Sequence, residues 1–419
     1  MAATDLIPRQ ALAVAEDLLS GARGIVVNGP RQSGKSELLK MLAASTGGTY
    51  ATLDDSADLR SARTDPSGFL ERLSRPFLID EVQRGGDPLV LAVKRRLDES
   101  RDRGQCVLAG STRFLFEPRL SESLAGRVRF LELWPLAIGE IERSEQRFVD
   151  ALFAGSVDLH AGRRLRRGDI AELIVRGGFP EAVNEPRPRQ RQRFFEDYAM
   201  TVTQRDVREL SSIHHGVELQ TVLRLVAART AQELNVAKFA ETARLGQETA
   251  RRYLPLLETV YLHHLLPAWS ANFSTRAVRR PKLHITDTGL AGHLLGIGVD
   301  RFNGSEPVLG QIFETCVVNE VLKQITWAEA IVRPFHWRDR NGDEVDLVLE
   351  RNDGAIVGIE CKLANDVDPS DLRRLRRLRD GAGDRFVGGA LVHLGDRIRS
   401  FGDRLLSVPV EAVWTTSPA

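Results

Sequence analysis

Two stretches of this sequence set reactive residue types at spacings that could do chemistry. The first is GIVVNGPRQSGKSELLKML, Gly24 to Leu42. A β-rich run leads into Gly29, then Gly34, Lys35 and Ser36 at the spacing G-x-x-x-x-G-K-S, and a helical pattern follows. Glycines let backbone N–H groups turn inward around phosphate oxygens, and the helix start adds its positive dipole. Arg31 and Ser33 lie in the same loop and are expected to line it. Lys35 should reach the β- and γ-phosphates of a nucleotide, and the Ser36 hydroxyl should ligate Mg2+. Further on, RPFLIDEVQR is an apolar strand ending in Asp80 and Glu81. Asp80 would hold Mg2+ through its water shell, and Glu81 would polarise the attacking water as a general base. The bland readings are a chance glycine-rich turn and a strand running into an acidic turn; the two motifs in sequence weigh against both.

The second stretch is EVDLVLERNDGAIVGIECK, Glu344 to Lys362, a hairpin turning at Arg351–Gly354. Asp346 lies on its first strand. Glu360 and Lys362 are two apart on the second, so they face one side. The preceding helical run VLGQIFETCVVNEVLKQI adds Glu314 and Glu320. Glu314, Asp346 and Glu360 could together hold Mg2+ beside a phosphodiester. Lys362 could then position water or stabilise the pentacoordinate charge. The following PSDLRRLRRLRD sets Leu372, Leu375 and Leu378 on one edge to pack on a sheet, with an arginine face free to meet phosphate. The competing reading is a partly exposed ion-pair set, of the kind that contributes only about 0–1 kcal/mol per pair.

The rest of the chain must position these groups. Its 419 residues allow two to four domains, and 42% apolar with 27% charged residues is the balance of an ordinary globular protein. A net charge of +1 gives no global basic field for nucleic acid. Only seven of the 58 basic residues are lysine, which makes each lysine worth inspecting. Three irregularly spaced cysteines argue against a disulfide framework or a zinc site and fit a reducing compartment. No signal pattern opens the chain and no apolar run approaches a membrane span, so a cytoplasmic protein without a membrane partner is expected.

GTYATLDD reads as an extra strand between the two N-terminal motifs, and QCVLAGST as an apolar strand ending in small polar residues. SLAGRVRFLELWPL then places Arg127 between a helix end and a strand, as a transition-state arginine acting across a homo-oligomer or as a structural one. Arg113, Arg119 and Arg129 compete for the same role. The pattern is helical from Ile138 to about His215. From Leu234 to Trp269 it gives a helix, a short glycine turn, a longer helix and a β-rich run, as in a winged helix-turn-helix. The second helix would present Gln247, Glu248, Arg251 and Arg252 to DNA. Plain protein contact is the equal alternative.

The order of the N-terminal strands resembles that of the additional-strand P-loop ATPases, which include the AAA-type proteins. By that resemblance Ser111 or Thr112 would sense the γ-phosphate, and the ligands would be ATP and Mg2+. The helix acid, hairpin and acid-x-lysine order resembles the PD-(D/E)xK arrangement of restriction-endonuclease-like folds. As a whole, the chain resembles a widespread prokaryotic family of AAA-type ATPases whose C-terminal half is a domain of unknown function. GPRQSGKS, FLIDEVQ, LAGRV, RGGFPEA, TQRDV, PKLHITDTGL, GQIFETCVVNE and EVDLV with GIECK carry that resemblance. The expected fold is an α/β P-loop domain with a parallel sheet and an additional strand (1–140). A helical linker or lid (141–215), a winged-helix-like domain (216–295) and an α/β restriction-endonuclease-like domain (296–419) follow. The expected function is a Mg-dependent ATPase whose nucleotide state controls a nuclease-like, DNA-engaging module. The alternative is a nucleotide-gated protein-interaction switch built on an inactive nuclease-like scaffold.

Overall fold

The computed structural model describes residues 6–111, 124–157, 165–207, 216–304 and 306–417. The chain forms two compact units: Met1–Leu136 with Thr259–Tyr261, and Ala137–Glu258 with Leu262–Ala419.

The first unit is built on five strands: β1 (Gly24–Asn28), β2 (Thr49–Thr52), β3 (Phe77–Asp80), β4 (Cys106–Gly110) and β5 (Val128–Glu132). They form one sheet in the order β2-β3-β4-β1-β5, and every pairing is parallel. The residues of β1, β3 and β4 are all buried, as parallel strands covered on both faces must be. Alternate side chains serve opposite faces. Ile25, Val27, Leu78 and Val107 pack with Leu38, Leu39 and Leu42 of the helix Lys35–Thr46. Val26, Phe77, Ile79 and Leu108 pack with Leu89, Val90 and Val93 of the helix Gly86–Glu99. The strand that separates the phosphate-loop strand β1 from the acidic strand β3 is β4; the Thr49–Thr52 strand lies at the sheet edge instead. This arrangement brings the polar end of β4, at Ser111, between the ends of β1 and β3.

The second unit opens with helices, among them Arg167–Arg176, Pro188–Thr201 and Gly216–Ala228. Strand β6 (Gln232–Glu233), helices Val236–Ala243 and Gln247–Thr259, and strands β7 (His263–Leu266) and β8 (Lys282–Ile285) follow. The three strands make a small antiparallel sheet in the order β6-β8-β7.

The long helix Pro307–Ile325 then leads into β9 (Val332–Arg338), β10 (Glu344–Arg351) and β11 (Ile356–Lys362). The helix Arg373–Ala382 crosses to β12 (Phe386–His393), and β13 (Arg399–Ser400) and β14 (Leu405–Pro409) complete the sheet. The order is β13-β14-β12-β11-β10-β9, with β9, β10 and β11 antiparallel and β11, β12 and β14 parallel. Antiparallel neighbours need only turns, whereas the parallel step from β11 to β12 needs the helical crossover. One sheet face, with Leu347, Leu349, Val357 and Ile359, packs on Phe313, Val317 and Val321 of the long helix. Leu372, Leu375 and Leu378 cover the other face, as their spacing predicts. The pairing of β10 with β9 slips between Val345 and Val348. Such a bulge re-aims the side chains beside it, and Asp346 lies inside this one.

Candidate functional site

The loop between β1 and the helix Lys35–Thr46 is shaped around its backbone. Gly34 has φ +95°, a left-handed conformation that favours glycine. At Gly29 an added Cβ would lie 2.3 Å from the carbonyl oxygen of Leu133, so a side chain has no room there. Ser33 is fully buried, and its Oγ has no hydrogen-bond partner. Arg31 is half-buried at the loop crest. Lys35 is buried, and its Nζ donates to the carbonyl oxygens of Gly29 (2.9 Å) and Pro30 (2.7 Å). A cradle closed to Cβ atoms, an orphaned buried hydroxyl and an ammonium inside the loop together fit a phosphate group.

Asp80 ends β3, buried beside this loop. One of its oxygens accepts from the Tyr50 hydroxyl (3.1 Å) and the other from the Glu81 amide (3.0 Å). The Tyr50 hydroxyl also interacts with Ser36; its burial and the charge of Asp80 hold its proton on well above the ordinary range. Ser36, Tyr50 and Asp80 therefore share one polar corner, where a magnesium ion would find the serine hydroxyl and the aspartate. Glu81 follows with φ +52°, in the left-handed region. Its carboxylate accepts from Gln83 and lies 3.5 Å from the Ser111 hydroxyl. Burial raises the Glu81 carboxyl above its usual value, against the pull of Lys35. Glu81 and Ser111 thus meet at the strand ends. Thr112, Arg113 and Arg119 lie outside the described residues. Arg127 is held by Asp98, with Nε and Nη2 at 2.7 and 2.9 Å from the two carboxylate oxygens. Arg129 is exposed.

One residue of this unit escapes the sequence reading. Arg9 donates to the carbonyl oxygens of Ser33 and Trp134, each at 2.8 Å, and so ties the phosphate loop to the segment after β5.

The second constellation forms around Lys282, the first residue of β8 and 1% exposed. Its Nζ lies 2.7 Å from Glu314, 3.1 Å from Asp346 and 3.4 Å from Glu344. The other Asp346 oxygen accepts from the Cys361 amide at 2.8 Å. Glu360 is buried and takes Arg374 Nη1 at 2.6 Å, while Lys362 pairs with Asp371. Burial works against the Lys282 charge, but the surrounding carboxylates outweigh it and hold the ammonium well above its ordinary range. Burial and the nearby Asp346 charge push Glu314 and Glu360 up.

Glu314, Asp346 and Glu360 are thus brought into one region, where Lys282 lies on Glu314 and Asp346 and Arg374 lies on Glu360. Among the described residues, no group of three or more His, Cys, Asp or Glu side chains is arranged to hold a metal ion. The arginine face after the hairpin is likewise engaged, Arg373 and Arg377 with Asp343. Glu320 serves structure: it takes Lys323 (2.6 Å) and the Ile138 amide (2.7 Å). The same holds for much of PKLHITDTGL. Asp287 caps the helix Thr288–Leu295 and accepts from the Gly178 amide of RGGFPEA, and His284 stacks on His264 while contacting Thr315.

Comparison with known proteins agrees with the N-terminal geometry. Residues 22–142 match the family model of the AAA domain. Residues 167–301 and 309–413 match two domains of unknown function (DUF8612 and DUF4143). Uncharacterized proteins of Mycobacterium bovis and Mycobacterium tuberculosis are each 27% identical over 412 residues, covering 97% of this chain and 85% of theirs. Among solved structures, a Walker-type ATPase of Pyrococcus abyssi is 15% identical with a TM-score of 0.43, over 69% of this chain and 96% of its own. The RuvB Holliday junction branch migration motor of Thermotoga maritima is 17% identical with a TM-score of 0.31, over 62% of this chain and 90% of its own. Superpositions this loose carry no conclusion. Among the described residues no helix is long and apolar enough to cross a membrane. The matched domain, the five-stranded parallel sheet and the phosphate loop at its centre agree: residues 22–142 form a AAA-type P-loop domain, and the matches to two domains of unknown function follow it.

Proposed function

We propose that the first unit binds and hydrolyses Mg-ATP, and that the second is a nucleotide-gated interaction module on a nuclease-like scaffold that binds rather than cuts. The observation carrying this reading is the Lys282 ammonium between Glu314 and Asp346. A fixed internal cation stands where a nuclease would place a divalent one.

For hydrolysis, the loop amides and Lys35 hold the phosphates, and Lys35 exchanges the Gly29 and Pro30 carbonyls for phosphate oxygens. Ser36 and Asp80 would hold Mg2+, which would supply positive charge to offset the charge developing on the phosphates. Glu81 takes the proton from the attacking water, and burial raises its affinity for that proton. Ser111, beside Glu81, would report on the γ-phosphate.

Two features support the scaffold reading. The order helix, three antiparallel strands, helix, parallel strand from Pro307 to His393 is that of the restriction-endonuclease-like core. The β6-β8-β7 sheet behind two short helices supports a winged helix, and Gln247, Glu248, Arg251 and Arg252 are exposed on its second helix. There Glu248 ties Arg251 at 2.9 Å, which weakens that helix as a phosphate contact and favours a protein partner.

Turnover of ATP by the wild type, Lys35→Ala and Glu81→Gln tests the first half of the proposal. Lys35→Ala should lose binding; Glu81→Gln should keep binding and slow turnover by about 10²–10⁴. Gating is tested by amide exchange in residues 216–417 of Glu81→Gln loaded with ATP or ADP. Identical exchange in both states would refute the switch.

A further inference from the structure

The second unit contains an open cavity of about 550 Å3 between β6, the start of the helix Val236–Ala243, β8 and the helix Pro307–Ile325. That size lies within the range of small-ligand sites. Its wall carries five basic side chains, Arg229, Lys238, Arg280, Arg338 and Arg374, against three acids. Each acid already has a cation. Glu233 pairs with Arg338 at 3.3 Å, and Glu314 and Glu344 lie on Lys282. Arg374 is spent on Glu360. Arg229 bonds only neutral groups, Gln232 and Thr242. Among the described residues no carboxylate pairs with Arg229, Lys238 or Arg280. Three uncompensated cations therefore converge on one polar cavity, in a chain whose net charge is only +1. The amide side chains of Gln232 and Gln311 stand beside them as hydrogen-bonding groups.

We infer that this cavity binds a phosphorylated ligand the size of one nucleotide, its phosphate held by Arg229, Lys238 and Arg280. Guanidinium and ammonium groups without carboxylate partners are the side chains that recognise phosphate. The ligand would rest against Glu314 and Glu344, the carboxylates that hold Lys282, so occupancy would be felt at the buried cluster. The inference deepens the reading of the second unit as a binding module by naming its ligand chemistry. A free nucleotide and a nucleotide unit of a nucleic-acid strand share that chemistry.

The test uses the full chain carrying Lys35→Ala, to suppress the phosphate loop, and titrates AMP, inorganic pyrophosphate and a short 5′-phosphorylated DNA strand separately. At least one probe should bind. Adding Lys238→Glu and Arg280→Glu, both at exposed positions, should weaken that binding by about tenfold or more with the melting temperature unchanged. Binding of AMP or pyrophosphate alone identifies a free ligand; binding of the strand alone identifies nucleic acid. Binding by none of the probes, or affinity insensitive to the two substitutions, overturns the inference. Neither result bears on ATP turnover or nuclease activity, so this proposal and the functional one fail separately.

Discussion

The Lys282 ammonium lies 2.7 Å from the Glu314 carboxylate, on a side chain buried from solvent. Taking charges out of water is repaid only while partners remain, so removing one partner of such a cluster costs about 3–5 kcal/mol. Lys282→Met should lose that much stability in the second unit. The sign of its pH dependence is fixed by Glu314 and Glu360, whose folded values are already raised. Without the ammonium they rise further. The folded state then binds protons that the unfolded state does not, above the ordinary glutamate range. Stability of the variant should therefore fall as pH rises from mildly acidic to mildly alkaline, more steeply than that of the wild type. Urea unfolding followed by tryptophan fluorescence reads this, since Trp269, Trp327, Trp337 and Trp414 all lie in the second unit.

Arg9 braces the loop that would bind phosphate. Its two hydrogen bonds, to Ser33 and Trp134, fix the crest of that loop. Arg9→Ala should weaken ATP binding by about tenfold, the equivalent of ~1.4 kcal/mol. Titration with a fluorescent ATP analogue measures it.

Arg127 is spent on Asp98 through a two-pronged pair. A transition-state arginine would be worth about 10³–10⁵ in turnover. Arg127→Ala should lower steady-state ATP turnover by less than about tenfold, far below that loss.

His336 is buried on β9, donates to the Arg280 carbonyl at 3.0 Å, and is pushed by burial down to about 4. Its neutral form belongs to the folded state, so its contribution is complete above the ordinary histidine value. It is lost as pH falls from about 6.5 toward the lowered value, because the unfolded chain takes up a proton first. Across that window the wild type should lose stability relative to His336→Leu, at up to about 1.4 kcal/mol per pH unit. Parallel urea titrations of the two proteins give the difference directly.

What the sequence makes legible depends on how local the chemistry is. The phosphate loop is read from eight consecutive residues, because its ligands are its own amides and the side chains beside them. The leucine edge of Arg373–Ala382 is read from helical periodicity, and those leucines are buried as expected. The arginines between them could not be assigned, because their acids, Asp343 just before β10 and Glu360 on β11, come from distant parts of the chain. Lys282 was hidden for the same reason. Its partners Glu314 and Asp346 lie 32 and 64 residues away, and only the rarity of lysine in this chain marks it. Arg9 reaches across 24 and 125 residues to its carbonyls, beyond any spacing rule. Strand order is also nonlocal. Composition makes strands of both Thr49–Thr52 and Cys106–Gly110, but the sheet alone decides which one separates β1 from β3.

Lys282 lies on Glu314 and Asp346 and Arg374 on Glu360, and we propose that these carboxylates hold no catalytic metal in a protein that hydrolyses ATP. The most direct measurement is Mg2+- or Mn2+-dependent cleavage of single- and double-stranded DNA and of RNA. Wild type and Lys362→Ala would be assayed with and without ATP, with ATP turnover recorded in the same samples. The expected result is ATP hydrolysis without cleavage in either protein. Metal-dependent cleavage by the wild type that disappears in Lys362→Ala would contradict it and make the hairpin a working nuclease site.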